Sequence, residues 1–122
     1  MLLTLLNPFG AKAEPLDGAA AVSMVKAGKA VLLDVREPSE LEQGGRARGA
    51  INVPISALER RADPDSPHCE PALKRGAPVI LYCASGARSG MAGKVLRKLG
   101  HQTVYDLGPI TAWSAAGGRL DR

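Results

Sequence analysis

Two apolar runs dominate the chain, Ala30-Val31-Leu32-Leu33-Asp34-Val35 and Pro78-Val79-Ile80-Leu81-Tyr82. Short runs of aliphatic and β-branched residues with almost no polar alternation predict strands buried on both faces. Between Pro15 and Lys29 the pattern changes. Leu16, Ala20, Ala21, Met24 and Val25 recur at helical spacing, which predicts a helix with Asp17 as its N-cap and Gly28 at its stop. Ser39 to Gln43 predicts a helical turn stopped by Gly44-Gly45, Ala50 to Pro54 a short strand, and Ile55 to Arg61 another helical segment. Pro64, Pro67 and Pro71, set among Asp63, Asp65 and Ser66, predict a surface loop within residues 62–76. Met91, Ala92, Val95, Leu96 and Leu99 form the apolar stripe of a helix that Gly100 ends. Thr103 to Tyr105 predicts a short strand, and Ile110 to Ala116 a terminal helix before Gly117-Gly118.

Strands that alternate with helices predict an α/β domain whose parallel sheet is covered on both sides. In such sheets the binding crevice lies beyond the carboxyl ends of the strands. Asp34 with Arg36, and Cys83 with the residues after it, should therefore come to one edge.

The residues after the second run carry the candidate chemistry. Leu81-Tyr82-Cys83-Ala84-Ser85-Gly86-Ala87-Arg88-Ser89-Gly90 reads as strand, tight loop and helix start. A helix that begins just after a cysteine aims unpaired N–H groups and its positive dipole end at the sulfur, which lowers a thiol pKa. Cys83 is the candidate nucleophile. Ala84, Ser85, Gly86 and Ala87 carry too little bulk to stop the backbone curling around the sulfur, and Gly86 can take positive φ. Converging N–H groups make an anion cradle, which Arg88 would reinforce by binding a substrate anion or bracing the loop. Ser85 and Ser89 would donate to the sulfur or cap the helix. Asp34 and Arg36 are expected to form a bracing network, and Trp113 to pack beneath or beside the loop. A thiolate needs no general base, and His101, just after Gly100, is expected to be exposed. Cys69, in Pro67-His68-Cys69-Glu70, reads as a spare thiol, because adjacent His and Cys without further ligands make a poor zinc site. No metal or cofactor is expected.

Composition narrows the class. A chain of 122 residues with 45% hydrophobic content suits one domain, and 3% aromatic content requires an aliphatic core. The net charge of +4 is spread along the chain without a dense basic run, which favours small anionic substrates over nucleic acid. No apolar run approaches the ~20 residues needed to span a bilayer. Two cysteines make no disulfide framework, and a reactive thiol suits the reducing cytoplasm. Met1 to Leu6, followed by Asn7-Pro8-Phe9-Gly10, reads as an apolar arm over residues 1–13, ahead of a domain over 14–122. Export is the weaker reading of this arm, since no basic residue precedes a segment too short for a signal peptide.

Four pieces in order resemble the rhodanese family of sulfurtransferase domains: Leu33 to Glu37, Gly49 to Pro54, Tyr82 to Ser89, and Leu107 to Trp113 with Ala116-Gly117. The resemblance spans roughly residues 16–120. It implies a three-layer domain with a central, mainly parallel five-stranded sheet flanked by helices. It also implies a persulfide on Cys83, loaded from thiosulfate or a persulfide donor and discharged to cyanide, a thiol or a protein acceptor. A persulfide-relay or protein-binding module with little small-molecule turnover is the alternative. The Cys-x4-Arg spacing is one residue shorter than the Cys-x5-Arg of related phosphatases, which favours sulfur over phosphoryl chemistry. The chain departs from the usual family pattern at three places: Arg46-Ala47 replaces His-Ile, Pro109 replaces a second glycine, and Ala84 replaces a basic residue that would help hold thiosulfate.

Overall fold

The computed structural model describes residues 11–122. In chain order its elements are β1 (Glu14–Pro15), α1 (Gly18–Lys26), β2 (Val31–Asp34), α2 (Pro38–Gly44), β3 (Arg46–Ala47), β4 (Ile51–Asn52), α3 (Leu58–Ala62), β5 (Val79–Cys83), α4 (Ala87–Lys98), β6 (Val104–Pro109), α5 (Ile110–Ala115) and β7 (Leu120–Asp121). Two 3-10 turns, Ile55–Ala57 and Pro71–Lys74, lie either side of α3. The main sheet has the order β1-β6-β5-β2-β4, and each of its pairings is parallel. The expected α/β sheet is therefore present. Antiparallel β3 and β7 form a small ribbon outside it.

The arm expected over residues 1–13 falls outside the described residues as far as residue 10. Ala13 is buried, and a Cβ added at Gly93 of α4 would sit only 2.7 Å from its Cβ. The first helix begins directly after its predicted cap, and the residues ahead of it, Glu14 and Pro15, extend to pair with Tyr105 and Asp106 of β6. Asp17 caps α1 as expected, its Oδ1 accepting the Ala20 N–H at 2.8 Å. The strand predicted at Thr103–Tyr105 runs on to Pro109 because β5 offers a full-length partner edge.

Strand alternation sorts side chains onto two faces. Leu33, Val35, Val79, Leu81 and Cys83 join a cluster completed by Ala92 and Leu96 of α4. Leu32, Ile80 and Tyr82 join another with Ala21 of α1 and Trp113 of α5. All five residues of β5 are buried, which explains its unbroken apolar pattern. His101 departs from expectation: it is buried, with Nε2 at 2.7 Å from the Ala62 carbonyl oxygen at the end of α3. The ring finds a backbone partner 39 residues away, which the local glycine signal does not register.

The Cys83 loop as candidate active site

Cys83 is the last residue of β5, and the chain turns there into α4. Its side chain has no exposed surface. Sγ accepts the Gly86 N–H at 3.0 Å and the Ser89 N–H at 3.4 Å, and lies 3.7 Å from the Ser89 hydroxyl oxygen. The Ser89 hydroxyl also reaches the Gly86 carbonyl oxygen at 3.1 Å. Gly86 permits this curl by taking φ of 103° at the N-cap of α4. A Cβ there would stand 3.6 Å from Gly108 Cα, so the strained backbone dihedral, more than crowding, restricts the position to glycine. Burial pushes the Cys83 thiol pKa up, but the Ser89 N–H and hydroxyl, with the N–H groups of Gly86 and Arg88, more than reverse this and leave it lowered.

Ala84, Ser85 and Ala87 form the exposed crest of the loop. Of its two serines, Ser89 is the one at the sulfur. Neither serine caps the helix, because Gly86 occupies the N-cap. Arg88 is half-buried and turned to Glu40 of α2, with Nη1 at 2.7 Å from Oε2 and Nη2 at 2.8 Å from Oε1. The contact with Arg88 holds the Glu40 carboxyl down at about 2 and raises the Arg88 pKa. Glu40 Oε2 also accepts the Glu37 N–H at 2.8 Å, so the start of α2 positions this carboxylate. Glu40 was absent from the sequence-predicted site. The local sign, a glutamate three residues after Glu37 and beside Pro38, marks a capping box without naming its distant partner.

Asp34 and Arg36 come together at the carboxyl end of β2, as a buried ion pair with Arg36 Nη2 at 2.7 Å from Asp34 Oδ2. Arg36 Nη2 also donates to the Gly45 carbonyl at 2.8 Å, and its N–H to Asp34 Oδ1 at 2.9 Å. Tyr82 completes the network by donating its hydroxyl to Asp34 Oδ2 at 2.6 Å and accepting the Ala47 N–H at 3.0 Å. Burial first, then the bond to Asp34, pushes the Tyr82 hydroxyl pKa up, which keeps it a neutral donor. The Arg36 guanidinium lies 5.6 Å from the Tyr82 ring centroid. Tyr82 directly precedes the nucleophile but points to the other face of the sheet, so this network braces the strand end from behind. A tyrosine in an otherwise aliphatic run was the available signal, since a buried hydroxyl needs a partner.

Trp113 does not pack beneath or beside the loop. Its ring belongs to the cluster on the face opposite Cys83, and its Nε1 donates to the Arg119 carbonyl at 2.8 Å. The turn through Gly117 and Gly118 folds the tail back over the indole, which fixes this placement. A concavity of about 600 Å³ there, bordered by Trp113, Val22, Val25, Arg48 and Arg119, contains none of the loop residues. A smaller one, about 280 Å³, opens beside Ala87, Gly90 and the exposed Met91 at the start of α4. Chemistry rather than cavity size locates the candidate site. Cys69 is buried, its thiol 3.4 Å from the Glu70 carbonyl oxygen, and burial raises its pKa. Among the described residues no three His, Cys, Asp or Glu side chains converge to hold a metal ion.

A parallel sheet with a cysteine-centred N–H cradle at its carboxyl edge matches known proteins along most of its length. The Rhodanese-like domain family model matches residues 18–116, and the chain belongs to this family. The uncharacterized protein YqhL of Bacillus subtilis is 41% identical over 93 residues, which make up 75% of this chain and 64% of that protein. A sulfurtransferase of Allochromatium vinosum is 32% identical over 88 residues, 71% of this chain and 74% of that one. Among solved structures, a Rhodopseudomonas palustris protein described as a possible tyrosine phosphatase superposes with a TM-score of 0.79 at 32% identity, covering 89% of this chain and 85% of its own. The match with YqhL thus spans less than two thirds of that relative's length. No helix among the described residues is long and apolar enough to cross a membrane.

Proposed function

We propose that the protein is a sulfurtransferase that carries a sulfane sulfur as a persulfide on Cys83. The observation that carries this reading is the pair of N–H groups, from Gly86 and Ser89, pointing at Cys83 Sγ from 3.0 and 3.4 Å. They stabilise a sulfur anion at a position where no general base is needed. With thiosulfate, the Cys83 thiolate attacks the outer sulfur. The new Sγ–S bond forms as the donor's S–S bond breaks, and that bond's electron pair leaves on sulfite. An acceptor thiolate, or cyanide, then attacks the outer sulfur of the persulfide, and Cys83 returns as thiolate. The two transfers balance, and the same cradle serves thiolate and persulfide.

The naming of the A. vinosum relative as a sulfurtransferase supports this reading. The Cys-x4-Arg spacing, one residue shorter than the phosphate-sized Cys-x5-Arg cradle of related phosphatases, weighs against a phosphatase. Intact-mass measurement after treatment with thiosulfate or a persulfide donor should show a gain of one sulfur atom, absent in Cys83→Ser. Absence of the adduct with both donors would sink the proposal. A second reading, a persulfide relay to a protein acceptor, draws on Ala84, which leaves the loop without the basic side chain that would help hold thiosulfate. It predicts a stable adduct with negligible cyanide-dependent turnover.

A further inference from the structure

We infer that Glu40 sets the donor specificity of the Cys83 site: by engaging Arg88 it leaves the loop without a free cation, so the site favours a persulfide of low charge over the thiosulfate dianion. The inference rests on the sulfurtransferase reading and goes beyond it by choosing between donors. Arg88 and Arg36, two of the arginines at this edge of the sheet, are both committed. Arg88 is held by two contacts to Glu40, at 2.7 and 2.8 Å, and Arg36 by Asp34 at 2.7 Å. Glu40 is itself fixed by the Glu37 N–H, so its carboxylate is prepared for Arg88 before any ligand arrives. The residue directly after the nucleophile, Ala84, contributes no charge.

The charges that act on Arg88 and the sulfur sum unfavourably for a dianion, and the further cations Lys12 and Lys94 share the flanking concavity beside Ala87 and Gly90 with Asp106. Arg88 is offset by Glu40, Glu37 adds a negative charge whose field reaches Arg88, and Cys83 as thiolate adds another. What remains for the donor are backbone N–H groups, which suit one sulfur anion. A persulfide R–S–SH meets this rim without bringing two negative charges. The Cys83 thiolate attacks its outer sulfur, the Sγ–S bond forms as the donor's own S–S bond breaks, and R–S⁻ departs with that bond's electron pair. The proton stays on the transferred sulfur, so charge and atoms balance. Glu40 touches neither donor nor Cys83 and is a positioning residue.

Kinetics with two donors test this, using thiosulfate and cysteine persulfide with cyanide as acceptor. Glu40→Gln frees the Arg88 charge and should lower the thiosulfate KM about 3- to 10-fold at low salt, by raising the local concentration of the anion. Its KM for cysteine persulfide should change less than about 2-fold, because screening-sensitive attraction is small for a donor of low charge. Glu40→Asp, which keeps the charge, should retain the wild-type preference. A thiosulfate KM that is unchanged or raised in Glu40→Gln, or a kcat that falls equally for both donors, would overturn the inference and leave Glu40 a structural brace. Should Glu40→Gln fail to fold, the wild type decides: its thiosulfate KM should stay flat or fall as salt rises, and a KM that climbs with salt would mean that Arg88 attracts the dianion. If the wild type gains no sulfur mass from either donor, the sulfurtransferase reading fails as a whole, an outcome distinct from a preference that merely runs the other way.

Discussion

The two cysteines of this chain are both buried and both free of disulfides, yet they are opposite in chemical character. Cys69 sits against a carbonyl, its neighbours Asp63 and Glu70 add negative charge, and burial raises its pKa. Cys83 is more deeply buried, at no exposed surface against 7% for Cys69, and its pKa is lowered. The difference lies in which backbone groups face the sulfur. An acceptor beside Cys69 favours the thiol, whereas donors converging on Cys83 favour the thiolate. Burial alone therefore makes a cysteine inert, and only the loop's curl reverses it.

The largest effect that separates the two should be the loss of all sulfur loading in Cys83→Ser, with Cys69→Ser loading as the wild type does; intact mass reads both. Loading on Cys69 in the absence of Cys83 would break the comparison. Next, Gly86→Ala places a side chain on a left-handed backbone at φ of 103°. This costs about 1–2 kcal/mol if the geometry holds. If the loop relaxes instead, the N–H at 3.0 Å is lost from the sulfur, and alkylation of Cys83 near neutral pH should slow roughly 10-fold, the equivalent of ~1.4 kcal/mol. A variant as reactive as the wild type would show that the Gly86 donor is dispensable.

The pH dependence sharpens the same contrast. The midpoint for alkylation should lie below the ordinary thiol value of about 8.5 for Cys83 and above it for Cys69. The signs for stability are opposite as well. The depressed Cys83 pKa contributes stability above its unfolded value that is lost as pH falls through the folded one. The raised Cys69 pKa contributes stability below its unfolded value that is lost as pH rises through the folded one. Equal midpoints in wild type and single-cysteine variants would refute the contrast.

Behind the loop, Tyr82→Phe removes the hydroxyl that joins Asp34 to the Ala47 N–H and leaves both without that partner. A loss of about 1–3 kcal/mol in chemical denaturation should follow, with the Cys83 alkylation midpoint little changed. The smallest effect should be on stability in Glu40→Gln, no more than about 1 kcal/mol, because a pair with each side chain one third exposed is screened by solvent. A larger loss would make Glu40 a pillar of the fold.

What could be read from the sequence follows from how far each interaction reaches along the chain. The strands at Val31–Asp34 and Val79–Cys83, the cap at Asp17, the helix from Ala87 and the cradle at Cys83 depend on residues within a few positions of one another, and their patterns are visible locally. Strands β1, β3 and β7 have two residues each, too few to show any period, and exist because a neighbouring strand presents a free edge. Arg88 with Glu40, and Tyr82 with Asp34, meet across 48 residues. Chain order places both partners at one sheet edge but does not say which side chains touch. Trp113 was misplaced for a related reason: where α5 lies on the sheet depends on β6, whose length the short predicted strand understated.

That strand holds one more lesson. Between Leu81 and Tyr82 the pairing with β6 slips by one residue, so that Asp106 and Gly108 become successive partners and Leu107 is accommodated as an extra residue, buried in the cluster opposite Cys83. A strand has only two sides, and one inserted residue changes the phase of everything after it. Pro109 comes to sit opposite Cys83, and α5 departs from there. Length is therefore as constrained at this point as chemistry is at the cysteine. Deleting a single residue between Asp106 and Pro109 would turn the following helix about the strand axis.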